Sequence, residues 1–324
     1  MKKIAAMIRC VLAAAMLFGL ASAAASAQAA SASSVVNITG TIVYTADATV
    51  GEGETLYIRN GGTLFIMNGA TLTVNGKLKC ADGGAIYCRG DIDVTESGSA
   101  SITGKLKVMS SGTLNLSGRL SVNKNGIVKG AGKIQMQCDY SSITCKGTVT
   151  AKIQAPAPVT EDGVTTVGGV VLVNREYGLP EDYGSKLNRS AYSAFLKMKS
   201  DSGYDMSIVS GYRSYEKQGE VYEYWCEIDG EETASRYSAL PGHSEHQTGL
   251  AMDITSLNTS YADTDEGRWL AENCYKYGFI IRYPKDKESV TGYVYEPWHI
   301  RYLGTSLAKL VYDSGLTLEE FFCL

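Results

Sequence analysis

Two histidines and an aspartate stand within fourteen positions in PGHSEHQTGLAMDI, residues 241–254 of a 324-residue chain that has three histidines in all. The third closes EPWH, at position 299, three residues after Glu296. Imidazole nitrogens and carboxylate oxygens are the donors that a catalytic zinc ion takes, three from the protein with a fourth place left for water. His246 and Asp253 are seven positions apart, which suits a loop running into a strand and excludes two ligands one helical turn apart. His299, from a separate strand or turn, completes a set of two histidines and one carboxylate. Glu296 would then stand beside the water and take its proton. Spacing alone leaves the ordinary alternative open, in which these histidines are simply hydrogen-bonded on strands.

The elements around these residues mix helix and strand. RSAYSAFLKMKSDSG has helical spacing of Ala191, Phe195 and Met198 and ends at a glycine, and YEKQGEVYEYWCEIDG reads as a second helix with its tyrosines on a packing face. YDMSIVSGYRS, GLAMDI, GFIIRY and the approach to EPWHIRYLG read as strands.

The wording of four blocks, SGYRSYEKQ, PGHSEHQTGLAMDI, GFIIRYPKDK and TGYVYEPWHIRYLG, resembles the VanY-type D-alanyl-D-alanine carboxypeptidases, relatives of the VanX-type D,D-dipeptidases. The likeness spans about residues 168–305, with the blocks in the family's order. It implies an α+β zinc peptidase domain with a small antiparallel sheet and flanking helices. It also implies one zinc ion held by His246, Asp253 and His299, with Glu296 as general base. Arg213 takes the place of the group that stabilises the developing oxyanion, and Ser244 helps hold the substrate's terminal carboxylate. Both fit their chemistry, since a guanidinium is a permanently charged donor and a site that removes a C-terminal residue must recognise a carboxylate. Gln218 and Trp298 line the pocket on this reading, Trp298 serving equally well as core. Arg213 has its own alternative, pairing with a structural carboxylate. His243 has no ligand role and is assigned to the surroundings of the site or to the surface. The implied substrate is the peptide stem of peptidoglycan or its precursor, losing its terminal D-alanine.

The first half has a different grammar. Glycine recurs every fourteen residues at 62, 76, 90, 104, 118 and 132, and a second series at 84, 98, 112 and 126 keeps the same interval, with Ala70 in its first slot. Apolar residues follow each glycine at offsets of two and four, from Leu64 and Ile66 to Ile134 and Met136. Each unit is therefore turn, strand, turn, strand with one apolar face, and stacked units form an all-β solenoid of 14-residue two-strand repeats preceding the peptidase domain. At ~4.8 Å per stacked strand, about five coils make a stub of roughly 25 Å. Glycine is expected at the corners for its freedom to take positive φ. Cys80 and Cys88 fall in inward slots. The outward residues show no recurring aromatic or acidic pattern, so a spacer, a cell-wall or surface partner and an oligomerisation face all stay open for this half.

Residues 1–27 have a basic start, an apolar centre and the small-residue cleavage site Ala25-Ser26-Ala27, the pattern of a secretory signal. The protein is thus expected to be exported, extracellular or wall-associated, with an uncleaved membrane anchor as the alternative. The expected division is 28–61 lead-in, 62–145 solenoid, 146–167 linker containing Ala-Pro-Ala-Pro, and 168–324 peptidase domain. Residues 1–27 hold three basic and no acidic side chains, so the remainder carries −7 where the whole chain carries −4. That balance disfavours nucleic acid as a partner. Seven cysteines follow the signal, an odd number without CxxC spacing, and their pairing stays open. Rival functions are an L,D-carboxypeptidase or D,D-dipeptidase on the same wall peptides, or a surface adhesion or wall-binding protein working through its solenoid.

Overall fold

The structure is a computed structural model that describes residues 34–324; the signal pattern and the first residues of the lead-in lie outside the described residues. Two compact units are present, one running through Cys138 and resuming at Lys146–Ile153, the other comprising Asp139–Cys145 and Gln154–Leu324. Among the described residues no helix is long and apolar enough to cross a membrane.

The first unit alternates short strands of two to four residues with tight turns. Its strands pair in parallel, in register, with the strand one coil away: Lys77–Cys80 with Ser99–Ile102, Ala85–Cys88 with Lys105–Val108, and Asp91–Val94 with Thr113–Leu116. The inward residues of the strands from Thr63–Ile66 to Lys133–Met136 are buried, Leu64, Ile66, Leu78, Ile92, Leu106 and Leu120 among them. Paired residues in this regular part lie 22 or 20 positions apart, as in Lys77↔Ser99 and Ser99↔Arg119. A coil therefore holds three strands on three sheets, whereas the sequence repeat holds two. Three repeats make two coils, and each glycine series visits the three corners in rotation.

The glycines themselves are explained differently from expectation. None of Gly62, Gly76, Gly90, Gly104, Gly118 and Gly132 has positive φ. A Cβ at Gly90 would lie 2.1 Å from the carbonyl oxygen of Ala70 in the coil beneath, and one at Gly98 of the second series 1.9 Å from that of Val74. The series is glycine because the corners of successive coils stack backbone on backbone, and no side chain fits between.

In the second unit, four strands form one antiparallel sheet in the order Ile208–Ser210, Ala251–Ile254, Glu296–Tyr302, Phe279–Tyr283. The helix Arg189–Ser202 is capped by the Asn188 side chain, which accepts from the Ser190 and Ala191 backbone N–H groups, and it ends at Gly203 with φ 74°. Its Ala191, Phe195 and Met198 join Met252, Ile254, Phe279 and Ile300 in one apolar core. Because strand side chains alternate, Asp253, Arg282, His299 and Arg301 occupy the opposite face of the sheet. One face of the sheet is thus oil and the other carries four buried ionisable side chains. The helix Tyr215–Asp229 departs from expectation, because Gln218 is its one buried residue while Tyr224 and Ile228 are 54% and 59% exposed. Its tyrosines do not form a buried packing face.

Candidate active site

His246 sits in the short 3-10 turn Glu245–Thr248, Asp253 in the strand Ala251–Ile254, and His299 in the strand Glu296–Tyr302. All three are buried, and their ligand atoms lie within 4.8 Å of one another. His246 Nε2 is 3.1 Å from Asp253 Oδ2, and His299 Nδ1 is 3.0 Å from Asp253 Oδ1. The two imidazole rings stand nearly perpendicular, 86° apart. His246 Nδ1 lies 2.7 Å from the Gly211 carbonyl oxygen, which fixes the proton there and leaves Nε2 a lone pair. Tetrahedral bonds of ~2.0–2.1 Å give donor–donor edges of about 3.3 Å, so the trio fits a divalent ion.

The field around it is negative. Burial alone would raise the Asp253 carboxyl, but His246 and His299 hold it well below the usual range. For His299 burial works to lower the imidazole, and Asp253, Glu245 and Glu296 override it, taking it up to about 10. That attraction for a proton is the same attraction that would draw a metal cation. Glu296 lies 3.7 Å from His299 Nδ1. Burial above all, with Asp253 adding and His299 opposing, pushes the Glu296 carboxyl up to about 8.

Arg213 closes the other side. Its guanidinium donates to Gln218 Oε1 at 2.8 Å and to Ser210 Oγ at 2.7 Å, and its backbone N–H donates to the His246 carbonyl at 3.2 Å. Gln218 in turn donates to the Ala239 carbonyl at 2.7 Å, so it fixes the guanidinium from beneath. Among the described residues Arg213 has no carboxylate within ion-pair distance. Burial lowers the Arg213 guanidinium below its ordinary value, against the pull of Asp253 and Glu296.

A cleft of about 360 Å³ opens onto these groups, and every site residue singled out in the sequence lines it: Arg213, Gln218, Ser244, His246, Asp253, Glu296, Trp298 and His299. Trp298 packs against the apolar core as well. His243 is apart from the candidate metal-binding trio, its Nδ1 2.8 Å from the Asn174 carbonyl.

A family model described as VanY, D-alanyl-D-alanine carboxypeptidase, matches residues 184–305. YodJ of Bacillus subtilis strain 168 is 42% identical over 193 residues, half of this chain and 71% of that protein. The D-alanyl-D-alanine carboxypeptidase of Enterococcus faecalis strain V583 is 36% identical over 187 residues, 51% of this chain and 69% of that one. The chain belongs to the VanY family. Among solved structures, a vancomycin-resistance D,D-pentapeptidase VanY in complex with Zn(II) is 34% identical, with a TM-score of 0.42 over 46% of this chain and 96% of that one.

The VanY-type unit also contains charged residues that the sequence reading passed over. Glu245 is fully buried and accepts at Oε1 from Arg282 Nε at 2.8 Å and Arg301 Nη1 at 2.7 Å. Burial alone would raise its carboxyl, but the Arg301 and Arg282 guanidiniums hold it well below the usual range. Arg282 is bidentate to Glu319 on the terminal helix Leu318–Phe322. A signal was present: an arginine interrupts the apolar run in both GFIIRY and HIRYLG, and a charge in such a run needs a buried partner.

Proposed function

We propose that the protein is an exported zinc metallocarboxypeptidase that removes the C-terminal D-alanine from peptidoglycan stem peptides or their precursors. The observation that carries the reading is the meeting of His246, Asp253 and His299 in one buried cluster, with Glu296 beside it and Arg213 across the same cleft. Family membership supplies the substrate class, and the leader pattern of residues 1–27 supports export to the cell wall or beyond.

Zinc held by His246, Asp253 and His299 would supply Lewis acidity, making an attacking water acidic near neutral pH. The chain's own residues do the rest. Glu296, raised in pKa and buried beside the trio, takes the water's proton as the scissile carbonyl is attacked and hands it to the leaving amine. The Arg213 guanidinium, held rigid by Ser210 and Gln218, donates to the oxygen on which negative charge develops. Ser244, at the wall of the cleft, offers its hydroxyl to the terminal carboxylate.

The test is to incubate the pure protein with defined muropeptides ending in D-Ala-D-Ala or in L-centre–D-Ala and to weigh the products. Loss of one alanine from the pentapeptide, abolished by a chelator and restored by zinc, is the expected result. Release from the tetrapeptide alone would move the assignment to an L,D-carboxypeptidase. No release from any stem with zinc present would favour a binding role.

A further inference from the structure

A glutamate in HSEHQ reads as a polar residue on a turn, yet Glu245 is fully enclosed. Its Oε1 is taken by the two arginines, Arg282 on one strand and Arg301 on the next. Its Oε2 lies 3.5 Å from His299 Nε2. Both of these atoms are buried, and neither has a hydrogen-bond partner among the described residues. Each is therefore the other's nearest prospect.

A neutral imidazole has one N–H and one lone pair. His299 Nδ1 faces Asp253 Oδ1 at 3.0 Å, at the point where the three candidate ligands converge. To bind a cation there, Nδ1 must keep its lone pair, and the proton must sit on Nε2. We infer that Glu245 is a positioning residue, whose Oε2 accepts the His299 Nε2 proton and so presents the Nδ1 lone pair to the metal. The two arginines hold the carboxylate so that it cannot turn away, and Glu319 fixes Arg282 with two bonds of its own. His299 and Arg301 lie two apart on one strand and so share a face, which places the acceptor's anchor next to the ring it orients. The inference rests on the reading that His246, Asp253 and His299 hold zinc.

Zinc affinity of the full chain, measured by competition with a chromophoric chelator, tests it in three proteins. Glu245→Gln keeps the size, but its oxygen stays with the arginines and its amide N–H groups face the ring, leaving two donors opposed. Its affinity is expected to fall about 10–100-fold, the usual effect of losing a carboxylate that orients a metal-bound histidine. Glu319→Gln loosens the same network without touching His299, and its affinity should stay within about threefold of the parent. Equal zinc affinity in the Glu245→Gln protein and the parent would overturn the inference and leave the metal site standing. Failure of the parent itself to bind zinc would overturn the metal reading beneath it. Should Glu245→Gln not fold, nitrogen NMR of histidine-labelled, zinc-loaded parent decides: zinc on Nδ1 with a proton on Nε2 is expected for His299, and zinc on Nε2 would refute the assignment.

Discussion

Asp253 and His299 are cross-strand partners, residue opposite residue, in adjacent antiparallel strands. The carboxylate and imidazole meet because the pairing puts both side chains on the same face of the sheet, and their polar atoms are 3.0 Å apart. A slip of one residue in that pairing would send one of them into the apolar core. The candidate metal cluster is thus written into the register of the sheet, with Met252, Ile254 and Ile300 holding it from the other side.

Glu296 has no role in holding that register, so its removal should damage chemistry and spare the fold. Glu296→Gln is expected to bind zinc like the parent while turnover of a pentapeptide stem falls about 10²–10⁴-fold. Near-normal turnover, read by mass analysis of the products, would take the base assignment away.

Arg213 is expected to act on the transition state more than on the bound substrate. Arg213→Lys removes the fork that Ser210 and Gln218 hold in place. It should lower kcat about 10²–10³-fold with little change in KM. A rise in KM alone at unchanged kcat would assign Arg213 to ground-state binding.

Gly98 and Gly40 differ in what lies above their Cα atoms, and so form an internal control for the backbone stacking of the solenoid. Gly98→Ala drives a methyl group into the Val74 carbonyl and should cost roughly 1–3 kcal/mol or prevent folding. Gly40→Ala meets nothing within 4 Å and needs no positive φ, so its melting temperature should match or exceed the parent's. Equal melting of the two variants would refute the account.

Among the described residues Cys80, Cys88, Cys226, Cys274 and Cys323 are free thiols. Burial raises Cys80 to about 11 and raises Cys88 and Cys274 to about 12. A raised thiol pKa keeps the unreactive protonated form through neutral and mildly alkaline pH. Iodoacetamide at pH 8 should therefore label the exposed Cys323 in the native protein and reach Cys80, Cys88 and Cys274 only after denaturation. Peptide mass mapping reads the order, and early labelling of Cys80 would contradict the packing.

The candidate ligand trio was legible because histidine is scarce, with three in the whole chain, because histidine and aspartate are chemically distinctive and stand close together, and because the flanking blocks match a known family. Glu245 was not, since its meaning depends on arginines 37 and 56 positions away. Nothing local distinguishes it from a solvated turn residue. The solenoid was legible as a repeat, yet the period counts strands two at a time and is blind to how many close a coil. The role of its glycines was misread for the same reason, because the carbonyl that excludes a side chain belongs to another coil. The exposed Tyr224 and Ile228 show the limit of composition: an aromatic-rich helix looked buried and is largely bare on that side.

The mismatch between a two-strand unit and a three-sided coil also governs how such a stalk can grow. Inserting one unit would advance every later strand by two thirds of a revolution, carrying the stacked Phe65–Tyr87 pair or the Lys105–Lys107 strand to a different side. Only triplets of units would lengthen the rod and keep its printed sides facing as before.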